Sequence, residues 1–341
     1  MYFCIYNATS MKYYLLLTLV FTSLLVRGQD TFSIVAIDTV TKEIGSAGAT
    51  CLTEQAGFPG AVFISDIIGG HGAIHTQSYG LIENQLAARQ RMLAGDTPEQ
   101  IIKWLEENDY DGTPEVRQYG VVDLDGAGTP RAAAYTGVDC FDYKNHIIGR
   151  NYAIQGNILL GQAILDSMEA RFIRTEGTLA DKLMACLQGA NVPGADSRCL
   201  ADGLSSKSSF LRVSRWEDPD KTYKLNLTVG KTKTGRDPID SLQTLYNIWK
   251  TTSSVHNENY TNQIVTISND AVSWNTIIDL SQIPARSQIV ITIYDISGKQ
   301  VKQYTTSEAK FLLQNDMFTG GTYIINVSQG DDVLYIGKVA L

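Results

Sequence analysis

Two β-rich runs, Phe32–Asp38 and Ile44–Cys51, flank the polar stretch Thr39-Val40-Thr41-Lys42-Glu43, and that pattern predicts a hairpin. The second run is made of small residues, Gly45, Ser46, Ala47, Gly48 and Ala49, so another layer can approach it closely. A second strand pair is predicted at Ala61–Ile68 and Gly72–Thr76, joined through Gly69-Gly70. Apolar residues then recur at helical spacing from Ser78 to Ala94, stopping at Gly95. Asp96 or Thr97 followed by Pro98 starts a second helix. Strands return at Gln118–Asp123 and Arg131–Tyr135, around an Asp125-Gly126 turn, and again at Tyr152–Gln155. Helices follow at Leu159–Arg174 and Leu179–Leu187, then a late hairpin at Ser209–Ser214 and Tyr223–Val229. Asp237-Pro238 caps a closing helix that runs to about Thr251. Strands and helices therefore come in clusters, which implies antiparallel sheets covered by helices rather than repeated βαβ units.

The pattern changes near residue 253, beyond which helical periodicity is almost absent. Residues 253–263 read as a polar linker carrying Asn257, Asn259 and Asn262. Short strands follow over 264–341, at Ile264–Ser268, Ile289–Tyr294, Gln300–Thr305, Thr322–Ser328 and Val333–Val339. Strands at that spacing without helices predict a small all-β sandwich. The first unit, 29–252, is then an α+β domain.

Residues 1–28 read as a secretory signal. Lys12 is the positive residue, Tyr13–Val26 the apolar stretch, and Val26-Arg27-Gly28 the cut region. Met11 reads as an alternative start, because the ten residues before it carry no targeting pattern. Loss of Lys12 and Arg27 takes the net charge from −8 to −10, which argues against nucleic acid and anionic membrane surfaces as partners. Export also leaves Cys51, Cys140, Cys186 and Cys199 in an oxidising compartment. An even number there predicts two disulfides. Proximity in sequence favours Cys186 with Cys199, leaving Cys51 for Cys140.

The candidate chemistry begins at Thr31, the hydroxyl residue that opens the first strand. A free α-amine has a pKa of about 8 and can take the proton of its own hydroxyl, so an N-terminal threonine is both base and nucleophile. The alternative is a β-branched strand opener, because a cut after Gly28 leaves Gln29-Asp30 ahead of it. A rival site is built from His71 and His75, placed i,i+4 on one strand face, with Asp66 as a third metal ligand. No phosphate-cradling glycine loop opens a helix after a strand, and no organic cofactor is implied.

Two segments carry family resemblances. Ile293-Tyr294-Asp295-Ile296-Ser297-Gly298-Lys299-Gln300-Val301, Gly320-Gly321-Thr322-Tyr323-Ile324-Ile325 and Lys338-Val339 make residues 289–341 similar to the C-terminal sorting domain of type IX secretion. That resemblance implies export through the periplasm to the medium or cell surface, with the type IX machinery as partner. Further upstream stand Thr31-Phe32-Ser33-Ile34-Val35-Ala36, Gly45-Ser46-Ala47-Gly48-Ala49, Thr76-Gln77 and Gln118-Tyr119-Gly120-Val121-Val122-Asp123. Tyr135-Thr136-Gly137, Tyr152-Ala153-Ile154-Gln155-Gly156-Asn157 and Gly194-Ala195-Asp196-Ser197-Arg198 follow in order. Together they make residues 31 to about 215 resemble the domain of unknown function 1028 family, grouped with N-terminal nucleophile (Ntn) hydrolases. The resemblance implies a four-layer αββα sandwich and hydrolysis of an amide in an unknown small-molecule or peptide substrate. Thr31 would then be the nucleophile, Asn157 and Gln77 oxyanion donors, and Asp196, Arg198 and Ser33 substrate contacts. Asn157 has a second reading as a helix cap, Asp196 and Arg198 as an ion pair, and Ser33 as a substitute nucleophile. The remaining alternative is a binding protein on the same scaffold, with Thr31 blocked.

Overall fold

The computed structural model describes residues 31–232, 235–254, 265–269, 275–283, 288–295, 299–318, 322–330 and 332–341. The signal segment, Gln29-Asp30 and the linker from residue 255 onward lie outside the described residues. Strand β1 (Thr31–Ile37) forms the expected hairpin with β2 (Ile44–Thr50), in a register that sets Thr31 opposite Thr50. Asp38 closes the turn, its Oδ1 accepting from the Val40 and Thr41 amides.

The pair sits at the centre of a mixed α+β architecture. Further along the chain come β3 (Ser65–Ile68), β4 (Gly72–Gln77), helices α1 (Ile82–Leu93) and α2 (Pro98–Glu107), β5 (Gln118–Leu124), β6 (Pro130–Thr136), β7 (Asn145–Ile148) and β8 (Tyr152–Gly156). Helices α3 (Gln162–Arg174) and α4 (Leu179–Gly189), strands β9 (Ser208–Ser214) and β10 (Leu225–Val229), and helix α5 (Pro238–Ser254) complete this part. One antiparallel sheet has the order β10-β9-β2-β1-β8-β7 and the other β3-β4-β5-β6.

Side-chain alternation along β1 decides what each face meets. Phe32, Ile34 and Ala36 point into a core shared with Leu165 and Met168 of α3, Leu183 and Leu187 of α4, and Leu242 of α5. Val35 and Ile37 point the other way and meet Ile67, Ala73 and Val122 of the second sheet. On that sheet's far side, Ile74, Tyr119 and Val121 pack on Ala88 and Met92 of α1 and Ile101 and Leu105 of α2. Glycine in β2 makes the close approach possible: a Cβ on Gly45 would lie 2.4 Å from Leu183 Cδ1. Helix starts follow local rules. Thr97 Oγ1 accepts from the Gln100 amide while Gln100 Oε1 accepts from the Thr97 amide, a capping box with Pro98 next to it.

Three expectations change. Gly60–Ile64 forms a 3-10 turn, and the strand expected from Ala61 starts only at Ser65. Gly60 has φ +78°, and Ala61, Val62 and Ile64 pack on Phe210, so the apolar run belongs to a buried turn. Helix α3 starts at Gln162 because Leu159 is bridged to Asp196 and the Leu160 amide donates to Ala195 O. The disulfide is Cys51–Cys199, with Cα atoms 5.8 Å apart; this corrects both expected pairings. Cys186 faces the helical core and Cys140 donates to Arg117 O, so neither thiol meets its expected partner.

In the C-terminal part, β11 (Thr266–Asn269), β12 (Thr276–Asp279) and β15 (Lys310–Leu313) form one sheet. Strands β13 (Ile289–Asp295), β14 (Gln300–Thr306), β16 (Thr322–Gln329) and β17 (Asp332–Ala340) form another, in the order β14-β13-β16-β17. Ile278 and Leu313 share a core with Ile291, Ile293, Ile325 and Val327, so the two sheets stabilise each other.

Candidate active site

The layer between the two sheets of the first domain is apolar at one end and polar at the other. Beyond Val35, Ile37, Ala73 and Val122, the same inward-facing positions become Thr31, Ser33, Ser46, Ser65, His75, Gln77, Gln118 and Gln155, all buried. Buried polar groups are costly unless they bond to one another. Here they form a connected network.

Thr31 lies at its edge and is held on both sides of its backbone. Its nitrogen donates to Asn157 Oδ1 at 2.9 Å. Its carbonyl accepts from the Asn157 amide at 3.2 Å and from Gln77 Nε2 at 3.1 Å. Gln77 Nε2 also donates to Gln118 Oε1 at 2.7 Å, and Gln77 Oε1 accepts from Ser33 Oγ at 2.6 Å. Gln118 Nε2 in turn lies 2.9 Å from the Gly156 carbonyl, 3.1 Å from the Asn145 carbonyl and 2.9 Å from Thr136 Oγ1, sharing its two N–H groups among them.

This geometry bears on the roles expected of Gln77, Ser33 and Asn157. Both N–H groups of Gln77 are engaged, so it positions Thr31 and has no donor left for an oxyanion. Ser33 Oγ is shared among Gln77, Gln155 Nε2 (2.6 Å) and His75 Nδ1 (2.9 Å) and has no exposed face. In this arrangement its hydroxyl is committed to the network. Asn157 caps no helix: Gly161 stands at the N-cap of α3, and the Asn157 side chain faces Thr31 instead.

The histidine pair also separates. His71 lies in the turn before β4, its Nδ1 against Gly69 O at 2.9 Å, and Asp66 pairs with Arg89 at 2.6 Å. His75 is buried inside the network, with Nε2 2.6 Å from Ser46 Oγ. Burial, helped by the charge of Arg212, pulls its pKa down to about 3, so the ring is neutral at any ordinary pH. Among the described residues no three His, Cys, Asp or Glu side chains stand together as metal ligands.

Asp196 and Arg198 do come together, as an ion pair at 2.7 Å with the carboxylate fully buried. Asp196 Oδ2 also accepts from the Cys51 amide at 2.8 Å, and Arg198 reaches Thr50 Oγ1 at 3.4 Å. Since Thr50 is the register partner of Thr31, the pair and the disulfide brace the strand beside the threonine. A second buried pair, Arg117 with Asp109 at 2.9 Å, supports the β4–α1 loop through a bond from Arg117 to Tyr79 O. Burial would raise the Asp109 carboxyl, but hydrogen bonds from Arg117, Thr113 and Asn84 bring it down to about 2.

The sequence reading gave no role to Gln118, Gln155, Ser46 or Ser65. Their signal was present as polar residues at the inward positions of otherwise apolar strands.

Two family models match the chain. A family described as a family of unknown function, DUF1028, matches residues 31–242, and the secretion system C-terminal sorting domain matches 257–340. A solved relative is protein SPO2555 from Silicibacter pomeroyi, a DUF1028 protein. It shares 24% identity and a TM-score of 0.51, over 64% of this chain and 88% of that one, a likeness that bears on fold alone. No curated protein matches the chain. The sorting domain is of the type IX system, so the protein interacts with that machinery and is exported to the medium or the cell surface. With more than half of its length matched, the chain belongs to the DUF1028 family and carries a type IX sorting domain behind it.

Proposed function

We propose that the first domain is a four-layer αββα Ntn-type hydrolase that cleaves an amide bond with Thr31 after the residues ahead of it are removed. The observation that carries this reading is the fixed Thr31 backbone, with its nitrogen 2.9 Å from Asn157 Oδ1. Once freed, an amine that donates there is oriented, and its lone pair can turn to its own hydroxyl. Thr31 Oγ1 then passes its proton to the amine and attacks the substrate carbonyl. Collapse of the tetrahedral adduct expels the leaving amine, which takes that proton, and water hydrolyses the remaining ester. The Asn157 side chain, bonded to the Thr31 nitrogen, is the first candidate for an oxyanion donor. His75 takes no part in proton transfer, since it is neutral and sealed among serines.

The chain as encoded has Asp30 bonded to Thr31, so the mechanism needs a cut between them. Terminal sequencing of the secreted protein should begin at Thr31, and Thr31→Ala should abolish hydrolysis across a panel of acyl amides while the protein stays folded by circular dichroism. A fully processed protein that begins at Gln29 would leave a non-catalytic binding role on the same scaffold.

A further inference from the structure

Three of the six non-glycine residues with positive φ among the described residues adjoin the two side chains that hold Thr31. Ser78 (φ +56°) and Tyr79 (φ +52°) follow Gln77, and Ile158 (φ +51°) follows Asn157. Left-handed backbone is unfavourable for such residues and persists only where surrounding structure enforces it. The enforcement is visible: the buried Arg117–Asp109 pair clamps Tyr79 O, and Phe141 O accepts from the Ile158 amide at 3.1 Å.

Ser78 carries a second cost. It is fully buried, and its Oγ has no hydrogen-bond partner among the described residues. Glycine would suit the backbone better and would leave no hydroxyl unpaired. Neither the strain nor the orphan hydroxyl helps the fold. Ser78 is also peptide-bonded to Gln77, whose Nε2 lies 3.1 Å from Thr31 O. On the neighbouring loops the Tyr79 and Phe141 rings stand 5.9 Å apart, and Phe141 is half exposed.

We infer that Ser78 is a substrate-binding hydroxyl of the Thr31 site, and that the amide it receives carries an apolar acyl chain lying along Tyr79 and Phe141. This rests on the Thr31 reading. Thr31 and Ser78 are both buried in this arrangement.

The test uses secreted full-length protein and a β-lactone bearing an octyl chain. Thr31 Oγ1 adds to the lactone carbonyl, the ring C–O bond breaks, and the released alkoxide takes the hydroxyl proton, so the protein gains the whole mass of the lactone. The wild type should label at Thr31. Ser78→Gly should label about tenfold or more slowly, the scale of one lost hydrogen bond, while melting no lower than wild type. A lactone with a hydroxylated chain of equal length should also label the wild type more slowly. Unlabelled wild type would overturn the Thr31 reading and this inference with it. Labelling of Ser78→Gly at the wild-type rate, or a slower rate accompanied by a lower melting temperature, would overturn the Ser78 role alone. Equal rates for the two lactones would overturn the apolar acyl chain.

Discussion

His75→Gln should flatten the pH dependence of folding between pH 7.5 and 5, because His75 is the one fully buried imidazole in the inter-sheet network. Its pKa is depressed from 6.5 to about 3, by burial first and by Arg212 second. Between those values the unfolded chain binds a proton that the folded chain refuses. Stability is therefore fully present above pH 6.5 and is lost as pH falls toward 3. At pH 5 the loss is set almost wholly by the unfolded pKa and comes to about 2 kcal/mol. Aspartate and glutamate titrate mostly below this window, and His146 is common to both proteins. Glutamine keeps polar contacts in the network but does not titrate. Urea unfolding at pH 7.5 and 5.0 should thus show wild type losing about 2 kcal/mol more than His75→Gln, even though the variant is less stable at pH 7.5. Equal losses would refute the buried neutral histidine, as would a His75 ring proton that titrates near pH 6.5 by NMR.

Removing the disulfide by Cys51→Ser with Cys199→Ser opens a loop spanning 148 residues, and the loop-closure treatment puts the cost at about 5 kcal/mol. Guanidinium unfolding measures it, and an unchanged midpoint would contradict a formed Cys51–Cys199 bond. Gly45→Ala places a Cβ against Leu183 and Leu179 of α4; overpacking of that kind costs about 1–3 kcal/mol. A neutral midpoint there would show that α4 does not seat on β2 as described.

The local pieces of this fold were legible in the chain, and the pairings between distant pieces were not. The β1–β2 hairpin forms as read, and of the two caps that the sequence offered ahead of Pro98, Asp96 and Thr97, the structure takes Thr97. The Cys51–Cys199 bond was missed because sequence proximity favoured Cys186, whereas α4 turns that thiol into the helical core. His75 was grouped with His71 by their i,i+4 spacing, which places both on one face only if the strand includes both. β4 begins at Gly72, so only His75 points into the sheet interface. Thr31, Asn157 and Gln77 were singled out from family-like segments. Their division of labour depends on which hydrogen bonds each amide has already spent, and that is a tertiary property.

The intact mass of the secreted protein tests the central claim most directly. A mass corresponding to a chain that begins at Thr31 is the predicted result, since it supplies the amine held beside Asn157. A homogeneous, fully exported protein that begins at Gln29 would leave Thr31 an ordinary strand residue and would contradict the account.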